Sequence, residues 1–357
     1  MTFLSLDVGS GLTKYATADN KCGDIESAVG SISDENSFIM GVPDHMQIQV
    51  GQKKYLTATG ALNNLDESKR AVTTKALWCE DRNQLVLFYS VIAKLFPEGL
   101  TGPVDLVVGL PVSKYAKHHK NHKAMFVGEH KFKTPASDYY ITVTDDRCAV
   151  LPQVVGLHFT NLSLGKDKSM DDGHIGYVDP GTHSCGIACV TDGTYNSLRS
   201  ADEKSKGADA GLHKLAQQIK DELKTSYGYE GEQSEILKGL RKGHIQLHGE
   251  KNIKINMKDV TERHVHKVYG PVVEEMLEKW KGGKTMTVLV SSGGGEYIID
   301  FIKKHFPHAS LMRKSTKSGA LNDPIYDVVK GYAIYGKAKF KTNVSTISNK
   351  RTGTADG

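Results

Sequence analysis

Two stretches of the chain, FLSLDVGSGLTKYATAD (residues 3–19) and IGYVDPGTHSCGIACVTDG (residues 175–193), are built to one plan. In each, an apolar run ends in Asp and passes through x-Gly-Ser or x-Gly-Thr. It continues as a β-type run (KYATA or CGIACV) and closes in a turn (ADNKCGD or TDG). A repeat of this size restricts the chain to architectures made of two related units. Two related domains would set the two turns face to face.

The rest of the chain has room for such a plan. Its 357 residues suffice for two domains, each with a buried core, and 39% hydrophobic with 24% charged residues is ordinary for a folded globular protein. Apolar runs at 3–8, 104–110, 141–151, 175–190 and 286–291 alternate with helical periodicity at about 82–96, 209–226, 260–281, 296–305 and 325–336. Strands interleaved with helices predict an α/β fold. The polar stretch SLGKDKSMDDGH (163–174) reads as a connection between domains, and KTNVSTISNKRTGTADG (341–357) as a loosely held tail.

Several function classes are disfavoured. LVLFYSVIAKLF (85–96) is too short to cross a bilayer and reads as a core helix. The N-terminus lacks the pattern of a secretory signal, and five scattered cysteines, an odd number, fit reduced thiols; both point to the cytoplasm. A net charge of +5 is mild and argues neither for nor against a nucleic-acid partner, and KYAKHHKNHK (114–123) reads as a solvated face. Gly283-Lys284-Thr285 does not complete a P-loop, because Glu278 stands where the first glycine belongs. Cys185 and Cys189, on one strand, would lie roughly 13 Å apart, too far to share a metal ion.

The turns themselves suggest a chemistry. Gly9 and Gly11 can direct backbone N–H groups into one concavity, and such a nest binds phosphate oxygens. Ser10, Thr13 and Lys14 would add donors of the same kind, while Asp7 would hold the hydration shell of a Mg²⁺ that neutralises the phosphates. Asp179, with Gly181, Thr182 and Ser184, supplies the matching half. A third glycine cluster lies in TVLVSSGGGEYIIDFIKKHF (287–306), where Gly293, Gly294 and Gly295 sit between a buried strand and an amphipathic helix. Glycines at such a junction let a ligand approach the backbone.

In this order, LDVGSGLTK, YVDPGTHS and VSSGGGEYIIDFIKKHF resemble the two phosphate loops and the adenosine motif of the actin, heat-shock chaperone and sugar kinase superfamily. Within it the likeness is to bacterial actin-like plasmid-segregation ATPases of the ParM type. VDLVVGLPVSKY (104–115) and YDVVKGYAIYG (326–336) are similar to further elements of that family, so the likeness runs from Phe3 to Gly336. The resemblance implies an actin-like ATPase fold, two related α/β domains around a central nucleotide cleft. Residues 1–166 with 325–357 would form domain I, and residues 167–324 domain II.

The resemblance also implies ATP or GTP with Mg²⁺ as ligands, with Asp7 and Asp179 as the metal-holding carboxylates. Gln153, in CAVLPQVVGLHF (148–159), would orient the attacking water, and EKSKGADAGLHKLAQQIKDEL (203–223) would bring Gly207 beside the nucleoside. Self-association into head-to-tail filaments follows, together with an adaptor protein bound to centromere-like plasmid DNA; neither direct sequence-specific DNA contact nor a membrane is implied. Two other readings keep the fold: a non-polymerising ATP-binding scaffold and a small-molecule kinase. The second loop departs from the family pattern at Pro180 and His183, position 186 is Gly where an acidic residue is common, and Ser292 precedes the third glycine cluster.

Overall fold

The computed structural model describes residues 2–32, 39–73, 77–164, 173–202, 204–248, 252–312 and 323–340. Most of the connection expected at 163–174 and all of the tail expected at 341–357 lie outside the described residues, as does Glu203.

The repeat seen in the sequence is a repeat of topology. In the first sheet, Cys22–Glu26, Leu12–Thr17 and Thr2–Val8 form an antiparallel meander, and Thr2–Val8 then pairs in parallel with the long strand Leu100–Leu110, itself parallel to Cys148–Pro152. In the second sheet, Thr194–Asn196, Cys185–Thr191 and His174–Pro180 repeat the meander, and His174–Pro180 pairs in parallel with Met286–Val290, itself parallel to Ser310–Leu311. Strand order and strand sense are the same in both. Strands buried on both faces need near-continuous apolar sequence; Leu4, Leu6, Val107, Val108, Tyr177, Val178, Val288 and Val290 supply it.

The first sheet carries an extension that, among the described residues, the second lacks. The N-terminal end of Leu100–Leu110 pairs with Asp138–Val143, and the sheet continues through Gly128–Lys133, Gln47–Val50, Lys53–Thr57 and Val29–Ile32. This corrects the single strand expected over 141–151, which is two strands, Asp138–Val143 and Cys148–Pro152, split by a 3₁₀ turn at Asp145–Arg147. The cause is Asp105, fully buried on the long strand. The turn brings Arg147 in as a fork, with Nε and a terminal nitrogen each 2.6 Å from one of its carboxylate oxygens. A buried carboxylate without such a partner would cost several kcal/mol, on the order of 3–5.

Helix Asn83–Leu95 is the core helix expected, with Leu87, Phe88, Val91 and Ile92 fully buried. The helix expected over 296–305 is shorter: a single turn Ser292–Gly295 precedes Ile299–Lys303, because Ile298 leaves the helical region (φ −120°) between them. Its apolar side, Ile298, Ile299, Phe301, Ile302 and Phe306, is nonetheless buried. Helix Asp327–Phe340 returns the chain to the first sheet: Ser5 donates to the Val329 carbonyl, and Arg147 donates to the Phe340 carbonyl. It crosses helix Val155–Ser163 at bare backbone, since a Cβ on Gly331 would fall 1.7 Å from the Gly156 carbonyl oxygen.

Candidate functional site

Each hairpin turns at the same point and in the same way. Gly9 N–H donates to the Leu12 carbonyl at 3.1 Å, and Gly181 N–H donates to the Ser184 carbonyl at 2.8 Å. Asp7 stands opposite Lys14 in the first hairpin, and Asp179 opposite Gly186 in the second. The two turns meet. A Cβ on Gly11 would lie 2.8 Å from the Thr182 methyl, so only glycine permits the approach, and Ser10 Oγ lies 2.6 Å from His183 Nδ1.

Beneath the turns lies a cavity of about 310 Å³. Asp7, Gly9, Ser10, Gly11 and Lys14 line it from the first hairpin, and Asp179, Gly181, Thr182, His183 and Ser184 from the second. Gln153 lines it too, at the end of strand Cys148–Pro152, where its N–H donates to the Leu110 carbonyl. Its side-chain Nε2 donates to Asp7 Oδ1 at 2.6 Å. This fixes the amide, since only its nitrogen end can face a carboxylate, and leaves Oε1 as the acceptor. Asp179 Oδ1 accepts from the Ser291 hydroxyl at 2.5 Å.

Asp7 is 6% exposed. Burial holds its pKa above the ordinary carboxylate value and the nearby charge of Asp179 adds to the rise, while Lys14 and the Gln153 hydrogen bond oppose it. A divalent cation between the two carboxylates would relieve both causes. Among the described residues no group of three or more His, Cys, Asp or Glu could hold a metal, so this is not a protein-only cage. Two carboxylates, each with one oxygen spent on a neighbour, fit Mg²⁺, which keeps its waters and takes phosphate oxygens as further ligands.

The far wall is set by Gly207, whose Cβ, if present, would fall 2.1 Å from the Cys185 carbonyl oxygen. Glu275, 4% exposed on helix Met257–Lys279, holds this loop by accepting from the Ser205 hydroxyl at 2.9 Å and the Lys206 N–H at 2.8 Å.

Some expected residues are elsewhere. Thr13 is fully buried and its hydroxyl pairs with that of Ser27 at 2.8 Å, so it is a prop under the first hairpin and not a phosphate donor; strand alternation turns it away from the face that carries Lys14. Gly294 and Gly295 do not line the cavity. A Cβ on them would meet the Pro180 carbonyl oxygen at 2.2 Å and a Val290 methyl at 2.6 Å, so these glycines allow the turn to pack on the strand ends. Gly293 belongs to the same turn, Ser292–Gly295. Sequence reasoning missed Ser291 and Glu275, which act through neighbours. It also missed the wall formed by Trp78, Gln84 and His122; His122 is buried, although its stretch, 114–123, reads as a solvated face.

Residues 5–156 match the family model described as the N-terminal domain of actin-like proteins. None of the curated proteins matches the chain in sequence. Among solved structures, an archaeal actin homologue is similar over 95% of this chain and 99% of its own, with 15% identity and a TM-score of 0.75. A 15-stranded ParM filament from Clostridium botulinum is similar over 94% and 99%, with 16% identity and a TM-score of 0.69. ParM of Bacillus thuringiensis with AMPPNP is similar over 95% and 99%, with 13% identity and a TM-score of 0.66. At these identities the likeness is one of fold. Residues 5–156 are therefore matched as an actin-like N-terminal domain, and along its length the chain shares the actin-like fold of ParM and the archaeal actin homologues.

Proposed function

We propose that this protein is a nucleotide-dependent, polymerising ATPase that forms head-to-tail cytoskeletal filaments and separates plasmid copies through an adaptor protein bound to centromere-like DNA. The observation that carries the reading is the meeting of two matched hairpins over one cavity, with Asp7, Lys14, Gln153 and Asp179 on its walls. The similarity in fold to a ParM filament and to ParM with AMPPNP supports it. No helix among the described residues is long and apolar enough to cross a membrane; the reading places the protein's work in the cytoplasm.

In this reading residues 1–166 with 325–357 form one domain and residues 167–324 the other. The hairpins hold the phosphates of ATP or GTP, with Mg²⁺ at Asp7 and Asp179. Gln153 Oε1 accepts from a water and aims it at the terminal phosphorus, a task suited to a neutral amide because positioning and charge stabilisation dominate phosphoryl transfer. Binding clamps the domains into the shape that self-associates, and a heterologous contact that does not close gives filaments.

Sedimentation and light scattering with ATP, GTP, the diphosphates and no nucleotide, run beside phosphate release, test the proposal. Triphosphate-triggered pelleting with delayed release is the expected result. Pelleting without turnover would make it a scaffold, and turnover without large species would make it a small-molecule kinase. Gln153→Ala should polymerise but hydrolyse about 100-fold more slowly, giving longer-lived filaments; a normal rate would remove Gln153 from the mechanism.

A further inference from the structure

Among the described residues, the Ser10–His183 contact is the one side-chain hydrogen bond between the two turns, and it is unequal in its supports. His183 is pinned on every side. The carbonyls of Gly181 and Thr182 accept from the N–H groups of Leu212 and His213 at 3.0 and 2.7 Å, a Cβ on Gly211 would strike the His183 backbone at 2.3 Å, and the imidazole stacks on His213 at 4.7 Å between centroids. Ser10, by contrast, sits on the turn between Gly9 and Gly11, held by its neighbours' backbone alone. The imidazole is thus the fixed member of the pair and the hydroxyl the one it orients.

From this geometry, and resting on the nucleotide reading above, we propose that His183 is the positioning residue that aims the Ser10 hydroxyl at a phosphate oxygen, so that one hydrogen-bond chain joins the second hairpin, the first hairpin and the nucleotide. A serine hydroxyl has one proton to give. When that proton goes to phosphate, Oγ is left as an acceptor toward His183, and the imidazole meets it with Nδ1–H. The chain N–H to O–H to phosphate runs in one direction, an arrangement in which each bond polarises the next. His183 then costs nothing in catalysis directly. It raises affinity for ligands that bear phosphate, because the contact between the hairpins already holds the donor in place.

Calorimetric titration of the full chain with Mg-ATP and Mg-GTP, using His183→Ala, His183→Asn, His183→Gln, Ser10→Ala and the double variant Ser10→Ala/His183→Ala, tests this. An asparagine amide nitrogen occupies the place of Nδ1, whereas a glutamine amide nitrogen reaches the place of Nε2. His183→Ala and His183→Gln should bind the preferred triphosphate about tenfold more weakly, while His183→Asn should stay within about twofold of the wild type. The double variant should be no weaker than Ser10→Ala alone, because the two residues act as a unit. Unchanged affinity in His183→Ala, equal rescue by Asn and Gln, or additive losses in the double variant would overturn the inference while leaving the nucleotide site standing. A wild-type chain that binds neither triphosphate overturns both.

Discussion

The two hairpins share strand order, register and turn hydrogen bond, yet they differ in what faces the aspartate. Across from Asp7 stands Lys14, a cation on the cavity wall. Across from Asp179 stands Gly186, and a Cβ there would lie 2.8 Å from a Val154 methyl, in the residue that follows Gln153. The second hairpin gives up a side chain so that the segment carrying Gln153 can lie close. One wall brings charge for an anionic ligand and the other brings close packing against the residue proposed to orient water. The shared topology accounts for the likeness of the two halves, and the occupancy of one cross-strand position sets their difference.

That comparison can be broken in four ways. Asp179→Asn should weaken Mg-nucleotide binding about 100-fold, as loss of a charge-assisted contact implies, and Lys14→Met about tenfold; titration calorimetry that found equal losses would erase the distinction between the walls. Gly186→Lys, which copies the first hairpin into the second, should destabilise the fold by about 1–3 kcal/mol through overpacking against Val154. Chemical denaturation measures this, and an unaffected midpoint would mean that the space is not closed.

The third test uses pH. Burial and the neighbouring His213 push His183 down to about 4, against an ordinary value near 6.5. An unfolded chain takes up the proton near 6.5, while the native site resists until about 4, so the native state loses stability as pH falls through that window and recovers it above. Burial shifts His122 and His130 in the same direction. The melting temperature should therefore drop between pH 6.5 and 4, with a shallower slope in His183→Asn. The smallest effect belongs to Thr13→Val, which removes one member of a buried hydroxyl pair: about 1 kcal/mol of stability, with nucleotide affinity unchanged. A loss of affinity there would restore Thr13 to the site.

The hairpins could be read from sequence because their information is local: an apolar strand, an acid at its end, and glycines that admit the turn. Helix Asn83–Leu95 was readable for the same reason, as an uninterrupted apolar period. The extension of the first sheet was not. Gly128–Lys133 carries the sequence GEHKFK, buried only at His130 and Phe132, and its pairing with Gln47–Val50 joins segments some eighty residues apart. The split at Asp145–Arg147 depended on a partner, Asp105, that no nearby residue announces. Among site residues, Thr13 is turned away from the cavity because a two-residue period decides which face a side chain takes. Ser291 and Glu275 touch the cavity through others, and such support leaves no motif.

The crossing of Gly156 and Gly331 sets a final consequence. Where helices touch through interlocking side chains, their separation can drift as rotamers change or as one residue replaces another of similar bulk. Here the spacer is peptide oxygen against α-carbon, whose dimensions do not vary. The gauge between the two helices at that point, both within the first of the proposed domains, is consequently fixed by covalent geometry.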